Sequence, residues 1–197
     1  TGGSVSITEN DAIEDGATAW NTTGTTTLTP TGNAITLDNI ENILGDIAIA
    51  SGDAVTLVEN SDLTQASAWD VGANAVSVTA RNGFDITLDE EANVFGGLTV
   101  ITETSGGSSG NATIYENDPI IDGDGNTGTS DDAWVVPGLL TLRAGDGDAN
   151  KQSITLDETS TDIGSLRIID ASEVDITESN AIVFAGGASS VSGDFSL

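Results

Sequence analysis

Asp122, Asp124 and Asn126 alternate with glycine, and Asp131 and Asp132 follow a few residues later. Side-chain oxygens at that spacing can wrap a hard cation, and Ca2+ is the ion such a loop would take. The pattern reaches only the first half of an EF-hand loop: Ala133 stands at the twelfth position, where that loop needs a bidentate Glu. Asp146 and Asp148, in the Gly145–Asn150 stretch, form a second and shorter case. The same residues also suit a solvated acidic insertion. With 4 Lys and Arg against 32 Asp and Glu, the formal net charge is −28. Divalent cations would relieve that self-repulsion even without a defined site.

Two further sets recur. Trp20, Trp69 and Trp134 each follow Ala. Exposed on one face, they could stack on sugar rings; packed inward, they would fill the core, where Trp is usually found. Glu9, Glu59, Glu116 and Glu178 stand beside or one place from Asn. They read either as a stacked carboxylate strip for ions or glycans, or as a turn position with Asn side chains bonding along the stack. Asp38, Asp89 and Asp157 raise the same choice. Asn21 and Asn111 open glycosylation sequons by pattern.

Composition removes much chemistry. With no Cys and no His there is no disulfide framework, no Cys/His zinc site and no Ser-His or Cys-His pair. The charge argues against a nucleic-acid partner, since phosphates need Lys and Arg, and disfavours anionic membrane surfaces. No apolar run approaches the ~20 residues of a membrane span, so no direct membrane insertion is expected. Acidic-polysaccharide lyase chemistry would want a cation near the scissile bond, and Arg81, Arg143, Lys151 and Arg167 are scattered. The expectation is a protein that is not an enzyme. The chain opens without Met or a signal-peptide pattern and reads as processed or excerpted.

What must position these residues is a set of short strands. Bursts such as Ala34–Leu37, Ala54–Leu57, Ala75–Val78 and Asp85–Leu88 alternate apolar with Thr, Ser or Asp, which is the period of half-buried strands. No long stretch keeps a 3.6-residue period, so little helix is expected. Ile-Thr-Leu-Asp occurs at Ile35–Asp38, Ile86–Asp89 and Ile154–Asp157. Ten residues after each Ile comes a glycine: Gly45, Gly96 and Gly164. Ser4–Ile13 resembles Glu173–Ile182, so a partial repeat fills 4–34. Repeats then start near 35, 86 and 154, interrupted by insertions near 105–110 and 120–133. Strand bursts about ten residues apart, separated by Gly, Asn, Asp and Ser turns, predict an all-β chain wound as a parallel β-solenoid. Coils of roughly 20 residues, about ten of them at ~4.8 Å each, would give a rod on the order of 45–50 Å. The whole of 1–197 is read as one such array. An antiparallel sandwich would need more Asn-Gly or Asp-Gly hairpin turns than the sequence offers.

The stretches Ile86–Val100 and Val174–Leu197 resemble the repeats of filamentous-haemagglutinin-type exoproteins. That resemblance implies a right-handed parallel β-helix, secreted or surface-attached, serving in adhesion or as an extracellular scaffold. The chain departs from the pattern in lacking a recognisable secretion domain and in carrying the Ala-Trp repeat. The expectation is an extracellular or cell-surface structural protein. It would be a segment of a surface layer, filament or sheath, calcium-stabilised and self-associating end to end. The alternative is an adhesin that binds glycans or a neighbouring surface.

Overall fold

A computed structural model of the 197-residue chain describes residues 3–50, 52–123, 132–147, 150–187 and 189–197. It is all-β among these residues, and no helix is long and apolar enough to cross a membrane. The strands stack as a parallel β-solenoid of about 8 turns of ~22 residues. The turns are thus fewer and longer than the expected ten of roughly 20, because the insertions lengthen the middle of the chain.

Three ladders run along the rod. One stacks Val5–Glu9, Thr26–Pro30, Asp46–Ile49, Leu63–Gln65, Ile86–Leu88 and Ala112–Glu116. A second stacks Ile13–Glu14, Ile35–Leu37, Val55–Glu59, Ala75–Ala80 and Gly97–Thr102. Both meet in the ten-residue strand Val135–Ala144, which Asp162–Ala171 then covers. The third stacks Ile120–Ile121, Ser153–Leu156, Glu173–Ile176 and Phe195–Ser196. All of these pairs are parallel.

Alternation in the sequence explains which way each residue points. In Ile35–Leu37, Val55–Glu59 and Ala112–Glu116 every second side chain is buried. Inward Ile, Leu and Val form one continuous core from Ile13 to Ile176. Outward hydroxyls fall in register, as in Thr36–Thr56–Ser77–Thr99 and Thr64–Thr87–Thr113–Thr141. Removing the inward methylenes from water is what holds a short-stranded stack together, at roughly 25 cal/mol per Å2 of apolar surface.

The spaced glycines have a steric cause. A Cβ on Gly96 would lie 2.1 Å from the carbonyl carbon of Ala73, and one on Gly164 would lie 1.9 Å from the Pro137 oxygen. At Gly45 it would meet the Gly24 oxygen at 2.1 Å, on a backbone that already has φ +64°. At each of these glycines successive turns touch backbone to backbone.

Most of the 120–133 insertion lies outside the described residues. The 105–110 stretch is a small antiparallel hairpin pairing Thr104–Ser105 with Ser108–Ser109. Its tip, Gly106-Gly107, has φ +60° and +89°, the conformation that a two-residue hairpin turn demands. Pro137 sits where the ladder register shifts between Val136 and Leu139, which suits a residue without an N–H to donate.

The long sequence repeat does not return to the same face from one copy to the next. Ile35, Ile86 and Ile154 stand at matching places in the three Ile-Thr-Leu-Asp copies, yet Ile35 and Ile86 lie in different ladders. The first two copies are 51 residues apart, about two and one-third turns of ~22 residues. The second copy therefore begins on another face of the rod, whereas the third lies in the ladder that the Leu98–Asp122 bridge joins to that of Ile35. The recurring Glu and Trp residues consequently do not form a strip down one side.

Candidate functional site

What the repeat carries from face to face is a set of buried polar clips. The first joins an inward side chain to the following turn. Asp15 Oδ2 accepts from the Asn39 backbone N–H at 3.0 Å, Gln65 Oε1 from Glu90 at 3.3 Å, and Asp122 Oδ2 from Glu158 at 3.0 Å. The second centres on Asn42 and Asn93, both fully buried. Their Oδ1 atoms accept from the backbone N–H of Trp20 and Trp69 at 2.8 and 2.9 Å. Their Nδ2 atoms donate back to Asp15 and Gln65. Asn93 also donates to the carbonyls of Leu88 and Tyr115, tying adjacent turns together. In the third copy Thr161 takes the Asn place, buried, with no hydrogen-bond partner for its hydroxyl among the described residues.

The recurring Glu makes the third clip. Glu59 Oε1 accepts from the Leu44 N–H at 2.9 Å, Glu116 Oε1 from Phe95 at 2.9 Å, and both Glu178 oxygens from Ile163 at 3.0 and 3.1 Å. Glu59 and Glu116 are buried, Glu178 is half-buried and Glu9 is exposed. Burial pushes the Glu59 carboxyl up to about 7, despite hydrogen bonds from Ser61 and Leu44 that favour the charge. It pushes Glu116 up to about 9, against the Phe95 hydrogen bond. Glu178 is raised by burial as well. Three of the four recurring Glu residues, Glu59, Glu116 and Glu178, are thus backbone clips that join one turn to the next.

Trp69 and Trp134 are fully buried, and their indole N–H groups donate to the carbonyls of Ile47 and Leu98. Trp69 meets Phe95 edge-on at 6.5 Å. Neither ring offers a face to a sugar, so for these two the expectation of stacking gives way to core packing. Trp20 is half-buried against the core.

Of the acidic loop, Asp124, Asn126 and Asp131 lie outside the described residues, as does Asp148. Asp122 is buried, and the Asp132 side chain packs on the backbone of its neighbour Gly123. Burial, then the like charges of Asp157 and Glu158, push the Asp122 carboxyl up to about 6, although the Glu158 N–H favours the charge. Asp146 is exposed. Among the described residues no group of three or more acids is close enough together to hold a metal ion.

Among the described residues Arg81 pairs with Glu103 at 3.1 Å, Arg143 with Glu91, and Lys151 with Asp170 at 2.6 Å. The sequon residue Asn111 is engaged through its side chain, accepting from Leu139 and donating to Asp85. An open groove of about 420 Å3 runs past Ala73, Phe95, Asp118 and Pro119. The buried Asn and the Asp/Gln/Asp clip escaped the sequence reading. The Asn had a visible signal, standing three residues before the spaced glycine in Asn42–Gly45 and Asn93–Gly96.

Stacked parallel turns cross-linked by buried side-chain clips define a repeat β-solenoid. The chain belongs to the family described as Repeats of unknown function (DUF5649), which matches residues 1–51 and 41–102, together just over half of its length. No curated protein and no solved structure matches the chain.

Proposed function

We propose that this protein is an extracellular structural scaffold, a rod segment of a surface layer, filament or sheath that assembles end to end. The observation that carries the reading is the stack of parallel turns on one continuous core, held in register by buried clips, whose last described turn is apolar. Val183, Phe184, Phe195 and Leu197 are exposed there, with Phe184 and Phe195 in ring contact at 5.6 Å. The strands Ser190–Val191 and Phe195–Ser196 each have one paired neighbour. An apolar face rimmed by free strand edges is the surface on which a further parallel turn can add. The polar clips serve the same role, since they fix the register of a rod whose sides are short strands and acidic turns. The resemblance to haemagglutinin-type repeats supports an exterior location. Ca2+ would offset the self-repulsion of a chain of net charge −28.

Sedimentation velocity with negative-stain microscopy tests this, with calcium and with chelator. End-joined rods that shorten on Phe184→Ser and Phe195→Ser substitution are expected. Monodisperse single rods at high protein concentration in both conditions would overturn the assembly. A second reading, an adhesin, is favoured by the half-exposed hydroxyl column Thr64–Thr87–Thr113. Glycan-array binding lost on substituting Thr87 and Thr113 would support it.

A further inference from the structure

We infer that the clips at Glu59 and Glu116 are proton-uptake sites, held as neutral carboxylic acids in the folded rod, so that acid tightens the stack and alkali loosens it. The geometry carries this. Both side chains are buried, at 0% and 1% exposure. Each uses one oxygen to accept a backbone N–H from another turn, while the other, Oε2, has no hydrogen-bond partner among the described residues. A carboxylate buried with half of its acceptors empty loses solvation that nothing repays, and it takes a proton instead.

The surrounding charges push the same way. Asp62 and Asp46 act on Glu59, and Asp118 acts on Glu116, all of them like-charged. The nearest stacked strands bring cations, but these are turned elsewhere. Arg81, after Ala75–Ala80, pairs with Glu103, and Arg143, in Val135–Ala144, pairs with Glu91. The strands on the other side, Ile35–Leu37 and Ile86–Leu88, end in Asp38 and Asp89, which are exposed. Glu9, the same residue of the first repeat, is exposed and stands as an internal control.

The direction follows from linkage. An acid whose folded value is raised contributes stability that is fully present below its unfolded value, near 4.5. That contribution is lost as pH rises through the folded value, about 7 for Glu59 and about 9 for Glu116. At pH 7 the folded chain therefore binds about one to two more protons than the unfolded chain, and each extra proton changes the folding constant about tenfold per pH unit.

The test is potentiometric proton uptake on refolding near pH 7, joined to urea unfolding at pH 5, 6, 7 and 8. Both are done in ~1 M NaCl, where surface repulsion is screened to about 3 Å. The wild-type chain is expected to take up about one to two protons and to gain stability steadily from pH 8 to pH 5. Glu59→Gln with Glu116→Gln keeps the accepting oxygen of each clip, and should remove most of the uptake at pH 7 and the slope between pH 7 and pH 8 while raising stability at pH 8; the raised carboxyls of Asp122 and Glu178 keep a slope towards pH 5. Glu9→Gln should change neither. Absence of proton uptake by the wild-type chain would overturn the inference whether or not the double variant folds, and so would a wild-type slope between pH 7 and pH 8 surviving in that variant.

Discussion

Replacing Asn93 with Ala should be among the most damaging single changes in this molecule. The side chain is fully buried and serves five hydrogen bonds. Two run between its amide and that of Gln65; the others engage the Trp69 N–H and the carbonyls of Leu88 and Tyr115. Truncation strands the Trp69 donor in the core and removes a partner from two carbonyls. A stranded buried group costs about 1–3 kcal/mol, and the carbonyl losses add to that, so a total of about 3–5 kcal/mol is expected. In a chain of this size that corresponds to a fall in Tm of about 10 °C or more. Asn93→Asp should be at least as severe. It keeps the acceptor for Trp69 but turns a carboxylate towards two carbonyl oxygens. Asn42→Ala should cost less, about 2–3 kcal/mol, because that amide serves only Trp20 and Asp15 through its side chain. Urea unfolding followed by tryptophan emission gives these numbers directly, since Trp69 and Trp134 lie in the core. A cost below about 1 kcal/mol for Asn93→Ala, or a larger one for Asn42→Ala, would refute the reasoning.

Other substitutions probe the packing. Gly96→Ala should destabilise by several kcal/mol or abolish folding, because the Ala73 backbone stands 2.1 Å from the new Cβ. Gly72→Ala, at φ +60° with open space around it, should cost only about 1–2 kcal/mol; equal costs for the two would remove the backbone-contact explanation of the spaced glycines. Trp69→Phe should lose about 2–3 kcal/mol through its hydrogen bond to Ile47 and the volume left beside Phe95. A neutral result in thermal unfolding would mean that the indole is not holding those turns.

The strand bursts and the parallel stacking were legible because period-2 alternation and turn residues at short intervals leave little else to build. Gly45, Gly96 and Gly164 were legible as a spacing, though not as a contact. Their partners Gly24, Ala73 and Pro137 lie a turn earlier and share no residue type. The same reason hid the clip of Asp15, Gln65 and Asp122, which have in common only an oxygen that can accept from a buried N–H. The recurring Glu was found but its direction was not, since alternation after Val55 and Ala112 points it inward only once the strand register is known. The rotation of the repeat around the rod was hidden for a different cause. It depends on the ratio of a 51-residue spacing to a turn of ~22 residues, and a coil of 20 gives a different face. Of the two readings of the Ala-Trp repeat, core packing holds at Trp69 and Trp134, because apolar area decides where a large ring goes.

Parallel stacking in register is tested most directly by cross-linking engineered cysteine pairs, in a chain that has no cysteine of its own. Thr56 and Ser77 are outward partners in adjacent turns of one ladder. Neighbouring strands lie about 4.8 Å apart, close enough for a disulfide. Thr56→Cys with Ser77→Cys should oxidise to an intramolecular bond, whereas Thr36→Cys with Thr99→Cys, three steps apart in the same column, should remain two thiols. Free thiols in the first pair, or a disulfide within single chains of the second, would contradict the solenoid.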